Sequence, residues 1–329
     1  MISLDAKLSE KVFTDEIAKA ATRDGFGTGV VEAGKADDRI VVLCADLTES
    51  TRSESFQKEF PNRFIEMGVA EQNMAGVAAG LAATGKIPFI TSYAVFSPGR
   101  NYEQIRTTIA LNNLPVKICG MHAGVSVGED GATHQMLEDI GMMRMLPGMT
   151  VLNPGDAEEA RKAVIAAAAT DGPIYLRFGR AATPIFTTKE TPFKIGKSIT
   201  LWESETPKVA ILSTGSVSYS ALAAAHALSE NGVESLVLHF PTIKPLDEEA
   251  ILTVAARAGR IVTVEEHQIA GGFGGAVTEL LSERHPVPTV RIGVRDQFGQ
   301  SGTPEELLAY YGLDVLHVEE AARALVRVS

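Results

Sequence analysis

The chain has 329 residues, of which 45% are hydrophobic, and its 30 basic and 41 acidic residues give a formal net charge of −11. This length is sufficient for about two domains, and the acidic balance argues against nucleic acid or an anionic membrane as a partner. Two cysteines, Cys44 and Cys119, lie in apolar runs typical of reduced core thiols. Because we find neither a secretory signal nor an apolar run long enough to span a bilayer, we expect a cytoplasmic protein.

Short apolar runs alternate with helical patterns along most of the chain, which predicts an α/β fold with parallel sheets. The first 21 residues have the pattern of an amphipathic helix. After them we predict strands at 39–47, 63–68, 87–96, 116–124, 149–154 and 173–180. Helices are predicted between these strands at 71–83, 101–113, 136–146 and 156–169.

A second series of strands and helices indicates a second domain. The fold class that we predict is α/β, with two domains that are each built on a parallel or mixed sheet. Residues 1–182 form the predicted first domain, and residues 183–206, which lack a clear periodicity, form a linker. Residues 207–329 form the second domain, with strands predicted at 208–216, 233–240, 260–267 and 288–294.

The polar residues that follow the predicted strands of the first domain indicate a ligand site. In open parallel sheets the ligand crevice lies beyond the carboxyl ends of the strands. We therefore expect these residues to converge on one rim of the sheet: Asp46 to Ser50, Glu71, Tyr93, Phe96, His122, Asp130, His134 and Asn153.

Glu71 stands near the start of MGVAEQNMAGVAAGLAATG (67–85), a helical run of small apolar residues. As an acid in the first helical turn, it would gain about 0.3–1 kcal/mol from the helix dipole. Gly76 and Gly80, four residues apart, would let another backbone approach closely and enclose Glu71 at an interface. A buried carboxylate can share a proton with a ring nitrogen, and the residues alone leave both interpretations open.

Two histidines, His122 and His134, bracket the polar loop that contains Glu129 and Asp130. Their spacing matches no standard zinc pattern, so we predict no metal site in this chain. Imidazoles beside a carboxylate suit both the recognition of hydroxyl groups and proton transfer near neutral pH. The loop therefore favours a polar substrate.

The stretch AGGFGGAV (270–277) fits only part of a dinucleotide-binding motif. Val277 stands where the third glycine belongs, and the acidic residues Glu265 and Glu266 precede the stretch. We interpret it as a tight turn from a strand to a helix.

Several stretches resemble the pyrimidine-binding domain of transketolases, which are thiamine-diphosphate-dependent enzymes. These are RFIEMGVAEQN, SYAVFSPGRNYEQIR and HAGVSVGEDGATHQ, and the order of elements through VEEHQIAGGFGG resembles the rest of the C-terminal half of those enzymes. The resemblance extends from residue 7 over nearly the whole chain and is most specific between His122 and Gln135. The Gly-Asp-Gly stretch that the family uses for Mg²⁺ and the diphosphate does not occur in this sequence.

The resemblance therefore implies the small, C-terminal subunit of a split transketolase, which supplies half of an active site. Thiamine diphosphate would be the cofactor, and Mg²⁺ would be held mainly by an N-terminal large subunit. Self-association through the Glu71 helix and a heterotetramer with that subunit are implied as well. Neither nucleic acid nor membrane is expected as a partner.

The resemblance also implies residue roles at the cofactor. Glu71 would hydrogen-bond N1′ of the aminopyrimidine and promote its imino tautomer, and Phe96 and Tyr93 would stack on the pyrimidine ring. Asp46 and Leu47 match a stretch that lies near the cofactor.

The implied substrate residues are His122, His134, Asp130 and Ser50, and the two histidines would also assist proton transfer. Full-length transketolases carry two phosphate-binding arginines at places where we align Ala6 and Asn153, and Arg177, Arg180 or Arg100 could replace them. This departure leaves open which sugars are used and whether they are phosphorylated.

The predicted activity is a transfer of a two-carbon ketol unit from a ketose, or its phosphate, to an aldose, or its phosphate, in pentose phosphate metabolism. The chain would be active only with its large subunit. The alternatives are the β-subunit of a 2-oxo-acid dehydrogenase, half of a deoxyxylulose-phosphate synthase, and a non-catalytic subunit that stabilises a partner.

Overall fold

A computed structural model describes residues 1–327 of the chain. The strands are β1 (Lys19–Ala20), β2 (Ile40–Cys44), β3 (Phe64–Glu66), β4 (Ile87–Tyr93), β5 (Lys117–Met121), β6 (Thr150–Leu152), β7 (Ile174–Arg177), β8 (Thr183–Pro184), β9 (Ile199–Trp202), β10 (Val209–Ser213), β11 (Ser235–His239), β12 (Thr242–Lys244), β13 (Ile261–Gln268) and β14 (Thr289–Val294). The α-helices are α1 (Thr22–Ala36), α2 (Glu54–Glu59), α3 (Glu71–Ala83), α4 (Tyr102–Gln104), α5 (Asp139–Arg144), α6 (Ala157–Ala168), α7 (Ser218–Glu230), α8 (Glu248–Ala258), α9 (Phe273–Arg284), α10 (Pro304–Tyr310) and α11 (Val315–Arg327). None of the helices in this described part is long and apolar enough to cross a membrane.

The larger sheet has seven strands in the order β12-β6-β7-β5-β4-β2-β3. Its neighbours pair in parallel except β12, which pairs antiparallel with β6. Central strands such as β2, whose sequence is IVVLC, are buried at every position, as expected when helices cover both faces of a parallel sheet. The carboxyl ends of these strands therefore share one edge.

The smaller sheet has five strands in the order β14-β13-β10-β11-β9, of which only β9 is antiparallel to its neighbour. Helices α7 and α11 pack against it and close a second hydrophobic core. The predicted fold class, α/β with two parallel or mixed sheets, is confirmed.

The predicted helix over the first 21 residues is wrong. This segment contains one 3₁₀ turn (Leu4–Ala6), further turns and the short strand β1. Val12 and Phe13 pack against the core of the smaller sheet, so tertiary contacts rather than helical periodicity explain the apolar positions. The first long helix is α1, which we did not predict.

Helix α1 escaped prediction because its sequence, TRDGFGTGVVEAGKA, is rich in glycine, a poor helix former. Packing against α6 requires these glycines. A Cβ atom at Gly25 would overlap the Ala157 carbonyl oxygen, and one at Gly29 would lie 2.8 Å from the Arg161 carbonyl oxygen. Close helix packing therefore overrides the low helix propensity.

The domain limits remain a prediction. Two strands cross them. Strand β9 lies inside the predicted linker 183–206 but belongs to the smaller sheet. Strand β12 follows the start of the second domain in sequence but completes the larger sheet. The smaller sheet therefore includes a strand from the predicted linker, and the larger sheet includes a strand from the predicted second domain.

The AGGFGGAV stretch forms the predicted turn from β13 into α9. Carboxylate oxygens of Glu265 accept hydrogen bonds from the backbone amides of Phe273 (2.6 Å) and Gly274 (2.8 Å). A dinucleotide phosphate would bind to the amides at such a helix N-terminus. Here the Glu265 carboxylate already accepts hydrogen bonds from them. Cys44 and Cys119 are free and buried, as predicted.

Candidate active site

Glu71 is the first residue of α3, and its side chain is only 2% exposed. Its Oε2 accepts a hydrogen bond from Nη1 of Arg100 at 2.8 Å, and the Asn101 amide group donates to its backbone carbonyl at 3.1 Å. The Arg100 side chain is about half exposed, and Tyr93, Phe96 and His134 are partly exposed. We call the surface region that these residues share with Glu71 the cleft. Glu71 is therefore a buried acid rather than a solvated residue of the first turn.

Four rings form a continuous cluster at the carboxyl ends of β4 and β5. The Tyr93 ring lies 4.0 Å from the His122 ring and 6.0 Å from the Phe96 ring, measured between centroids. The His134 ring meets Phe96 edge-on at 5.7 Å. The Arg100 guanidinium lies 4.8 Å from the centre of the Phe96 ring, which joins the cluster to Glu71.

His122 follows β5 directly and adopts a φ of +54°, which is uncommon for a residue other than glycine. Burial, together with the nearby guanidinium groups of Arg23 and Arg180, lowers the pKa of His122 to about 3. Because Arg23 can only donate, its Nη1, 3.2 Å from Nε2 of His122, requires Nε2 to be the acceptor. The ring proton then lies on Nδ1, which is buried and has no hydrogen-bond partner among residues 1–327. This N–H can donate to a ligand.

Three arginines surround His122, and they include residues that the sequence analysis missed. Arg23, in the first turn of α1, also donates to the Ser50 carbonyl oxygen at 2.8 Å. The Arg52 and Arg180 charges both act on the pKa values of Arg23 and His122, which places the three guanidinium groups near one another. Arg52 is paired with Asp24 and Arg180 with Glu129. Arg180 is the only one of these three that the sequence analysis considered. Recognition of α1 as a helix would have been the signal for Arg23.

The loop after β2 brings Asp46, Leu47 and Ser50 to the same edge. Asp46 is exposed with a φ of +58°, and its amide donates to Oε1 of Glu66 at 2.8 Å. The Leu47 carbonyl oxygen accepts from the Thr51 amide, so it holds the turn that presents Ser50. Glu66 fixes this loop and was not predicted.

Asp130 and His134 lie on the loop that follows His122. Asp130 is exposed, and His134 is partly exposed with its Nδ1 2.9 Å from the Thr133 hydroxyl oxygen. Because the His134 ring joins the aromatic cluster, this loop closes one side of the cleft.

Two residues that the sequence analysis placed at the site, Arg177 and Asn153, do not reach this cluster, and their assignment is corrected. Arg177 is 4% exposed, and its Nε donates to Oδ2 of Asp139 at 2.7 Å, so its guanidinium is not available to a phosphate. Asn153 is also buried, and its amide group donates to the Thr214 hydroxyl at 3.3 Å. Ala6 packs in the core of the smaller sheet. Ala6 and Asn153 therefore lie apart from the aromatic cluster.

The cleft has the chemistry that an aminopyrimidine ring needs. A buried carboxylate, Glu71, can accept a hydrogen bond from a ring, and the neighbouring face of Phe96 offers an aromatic surface. Within residues 1–327, no group of three or more His, Cys, Asp or Glu side chains is arranged to hold a metal ion. The residues present therefore fit the pyrimidine end of thiamine diphosphate.

Comparison with known proteins assigns the chain to a family. A model of the transketolase pyrimidine-binding domain matches residues 18–185, and one of the transketolase C-terminal domain matches residues 200–318. The chain belongs to the transketolase family. The match begins at residue 18, after the N-terminal segment in which we had aligned Ala6.

Relatives of this transketolase chain fall into two length classes. A "putative transketolase C-terminal section" from Methanocaldococcus jannaschii is 46% identical over 295 residues, which cover 89% of this chain and 92% of that protein. The 6-deoxy-6-sulfo-D-fructose transketolase subunit SqwH of a Clostridium species is 41% identical and has 92% of its length covered. The mouse transketolase is 39% identical, but the match covers 94% of this chain and only 49% of the mouse enzyme.

A solved structure supports the same grouping. A split-gene transketolase, described as an inactive β4 tetramer, superposes with a TM-score of 0.86 at 43% sequence identity. The match covers 93% of this chain and 98% of that chain. The transketolase fold therefore extends over both sheets of this protein.

Proposed function

We propose that this chain is the small subunit of a split, thiamine-diphosphate-dependent transketolase that transfers a two-carbon ketol unit between phosphorylated sugars. The observation that carries the proposal is the series of side-chain contacts that runs from Glu71 through the aromatic cluster to His122 and Arg23. The cleft provides a carboxylate for a cofactor ring at one end and cationic groups for a substrate phosphate at the other.

At the cofactor end, the Glu71 carboxyl group would hydrogen-bond the ring nitrogen N1′, as the acceptor when N1′ carries a proton, while Phe96 and Tyr93 would contact the face of the pyrimidine. When bound, thiamine diphosphate supplies the carbanion chemistry that breaks and forms the carbon–carbon bond. Asp46 and Leu47 line the cofactor side of the cleft. Binding requires Arg100 to share or release Glu71, because its guanidinium now contacts the carboxylate.

At the substrate end, neutral His122 donates from Nδ1 to a sugar hydroxyl, and His134 and Asp130 bind the hydroxyl groups of the donor ketose. His134, which is partly exposed, moves protons to and from these hydroxyls. Arg23, Arg180 and Ser50 bind the sugar phosphate, with guanidinium groups suited to phosphate oxygens. Arg23 takes the role first assigned to Arg177.

A large subunit completes the site by holding the diphosphate and Mg²⁺. The likeness to a C-terminal section and to the C-terminal half of longer enzymes supports this partner. The exposed face of α3 supports docking, because ideal Cβ atoms at Gly76 and Gly80 would meet no atom within 4 Å. We assign this face to contacts with a second copy of the chain or with the large subunit, in a cytoplasmic heterotetramer of the pentose phosphate pathway.

The alternatives are less well supported. The relatives described above are transketolases or transketolase subunits, rather than 2-oxo-acid dehydrogenases or deoxyxylulose-phosphate synthases. A non-catalytic stabilising subunit would not need a buried carboxylate that opens into a cleft lined by histidines.

Ketol transfer from xylulose 5-phosphate to ribose 5-phosphate tests the proposal. The assay contains thiamine diphosphate and Mg²⁺, with this chain alone and with the large subunit of a split transketolase. We expect activity only in the mixture, and a KM for unphosphorylated ribose at least tenfold above that for ribose 5-phosphate. Activity of the chain alone would overturn the half-site, and equal KM values would overturn the role of the arginines.

A further inference from the structure

The loop that carries His134 rests on the C-terminal domain. This loop, residues 124–135, follows His122 and leaves the larger sheet. The Ser126 amide donates to Oε1 of Glu266 in β13, with 2.6 Å between the two atoms. Just beyond the loop, the Gln268 amide donates to the Leu137 carbonyl oxygen at 2.9 Å. The carboxyl end of β13, in the smaller sheet, therefore contacts the chain at both ends of the loop.

Glycines in the loop allow this close approach. Gly124 has a φ of +89°, and a Cβ atom there would overlap the carboxylate of Glu266. Gly131, next to Asp130, has a φ of +73°, and a Cβ atom there would lie 2.7 Å from the hydroxyl oxygen of Ser301. The loop backbone thus lies directly against side chains of the C-terminal domain.

Gln135 ties the loop to a second segment of that domain. Its side chain is 4% exposed, and its Nε2 lies within hydrogen-bond distance of the carbonyl oxygens of Val125 (3.1 Å), Gly128 (3.0 Å) and Gln300 (2.9 Å). One amide group thus joins the start of the loop, its middle and the chain that leads into α10. The loop and the C-terminal domain form one structural unit.

Glu266 is itself held in place from both sides. Its carbonyl oxygen accepts from Nη2 of Arg177 at 2.9 Å, and Arg177 is fixed in turn by Asp139. Burial raises the pKa of the Glu266 carboxyl, and the nearby Arg177 charge opposes that rise. The side chain, 4% exposed, has little freedom to move away from Ser126.

We propose that Glu266 is a positioning residue for ketol transfer: by accepting the Ser126 amide, it sets the path of residues 124–135 and so the places of Asp130 and His134. This inference rests on the proposed function. It gives the C-terminal domain a role in catalysis that needs no contact with the substrate. Displacement of a reacting group by about 1 Å can lower a rate about 100-fold, so a small shift of the loop is sufficient.

The test compares three variants in the assembled enzyme. Glu266→Ala removes the acceptor, and Glu266→Gln keeps an oxygen that can accept the Ser126 amide. Glu279→Ala is the control, because Glu279 also pairs with the other domain, through Arg144, but does not contact the loop. We expect Glu266→Ala to lower kcat/KM for the donor ketose at least tenfold and to shift the pH profile of kcat. Glu266→Gln should keep at least a third of the activity, and the control should stay within twofold.

Hydrogen exchange in the chain alone gives a second readout, which does not depend on activity. Amides of residues 124–135 should exchange at least tenfold faster in Glu266→Ala and at the wild-type rate in the control. Wild-type kcat/KM and pH profile in Glu266→Ala would overturn the inference, and so would faster exchange spread evenly over the C-terminal domain. If the wild-type assembly transfers no ketol unit, the proposed function fails, while the exchange data still decide whether Glu266 orders the loop.

Discussion

Glu71 and His122 are each 2% exposed, and each has one guanidinium group within hydrogen-bond distance. The partner has a different effect in the two cases. Arg100 forms an ion pair with the Glu71 carboxylate, whereas Arg23 adds to the burial that keeps His122 uncharged. At the scale of single residues, Glu71 with its arginine is therefore a hydrogen-bond acceptor at one end of the cleft. Neutral His122 with its arginine is a donor at the other end.

Glu71→Gln should abolish most of the ketol transfer. The substitution keeps the size of the side chain but removes the charge that the proposed contact with N1′ requires. We expect kcat to fall at least 100-fold, or about 2.7 kcal/mol in transition-state free energy, while the subunits still assemble. Steady-state kinetics and analytical ultracentrifugation measure the two quantities. Glu59→Gln, on the surface of the same domain, should leave turnover unchanged, and a loss of only a few-fold in Glu71→Gln would contradict the role.

His122 should make the stability of the chain depend on pH. The unfolded chain binds a proton at this residue below the usual value of about 6.5, but the folded chain does so only near pH 3. The unfolded state therefore holds more protons, and stability falls as the pH decreases from about 6.5 towards 3, by up to about 1.4 kcal/mol per pH unit.

Urea unfolding of the chain between pH 7.5 and 4.5 measures this dependence. In His122→Gln the slope should be shallower by about one proton, because the neutral side chain can still accept from Arg23 without titrating. Identical slopes for the variant and the wild type would contradict the lowered pKa, because His122 would then bind a proton equally well in the folded and unfolded chain.

Helix α3 shows how one element can serve two surfaces. Its buried face, which includes Met74 and Ala78, packs in the core of the larger sheet, whereas Gly76 and Gly80 lie on the exposed face. Ordinary amphipathic helices carry polar side chains on the exposed face. Two glycines there leave a smooth surface for another backbone.

Gly80→Trp should separate folding from assembly. The folded chain has room for the new side chain, since a Cβ atom at Gly80 meets nothing within 4 Å. We expect the thermal midpoint of the chain to be unchanged or higher, because glycine is a poor helix former. Association with the large subunit or with a second copy should weaken at least tenfold in sedimentation or calorimetry. Ser282→Trp, on the exposed side of α9, is the control for added bulk.

The elements that the sequence predicted well are those whose pattern is local. Strands β2, β4, β5 and β7 lie in short runs that are mainly apolar, and α3 was predicted with its observed bounds. Helix α1 could not be predicted in this way, because its glycines are explained only by contact with α6. The same contact decides whether Arg23 is recognised as part of the site.

The site was predictable to the extent that strand ends define it. Tyr93, Phe96, His122 and His134 meet because the carboxyl ends of neighbouring parallel strands share an edge. The removal of Arg177 from the site was not predictable, since Asp139 and the Glu266 carbonyl oxygen reach it from other elements. The part of the site that the sequence did not predict therefore depends on contacts between residues far apart in sequence.

At the scale of the whole molecule, a buried polar chain joins the two domains. Oε2 of Glu159 in α6 lies 2.7 Å from Nε2 of His239 in β11, and Nδ1 of His239 lies 2.6 Å from the Ser218 hydroxyl. Oε2 of Glu159 also accepts from the Gly155 amide at 2.6 Å. Glu159 and His239 are 1% and 0% exposed, so solvent cannot replace these contacts.

Glu159→Ala should destabilise both domains together. Removal of the carboxylate leaves the buried His239 ring and the Gly155 amide without an acceptor, which should lower the free energy of unfolding by about 3 kcal/mol or more. Denaturant unfolding followed by Trp202 fluorescence and by circular dichroism measures the change. The exposed pair between Arg144 and Glu279 also joins the domains, and Glu279→Ala should cost less than about 1 kcal/mol. Equal effects of the two substitutions would show that the buried chain adds no stability.

Strand β12 has a consequence for synthesis of the chain on the ribosome. Thr242–Lys244 forms one border of the larger sheet by pairing with β6, although it is made long after the other strands of that sheet. Until it emerges, Val151 and Leu152 expose unpaired backbone groups on an edge that favours aggregation. The nascent N-terminal domain therefore cannot complete its own sheet, and a ribosome that stalls before residue 244 leaves a chain with an open edge.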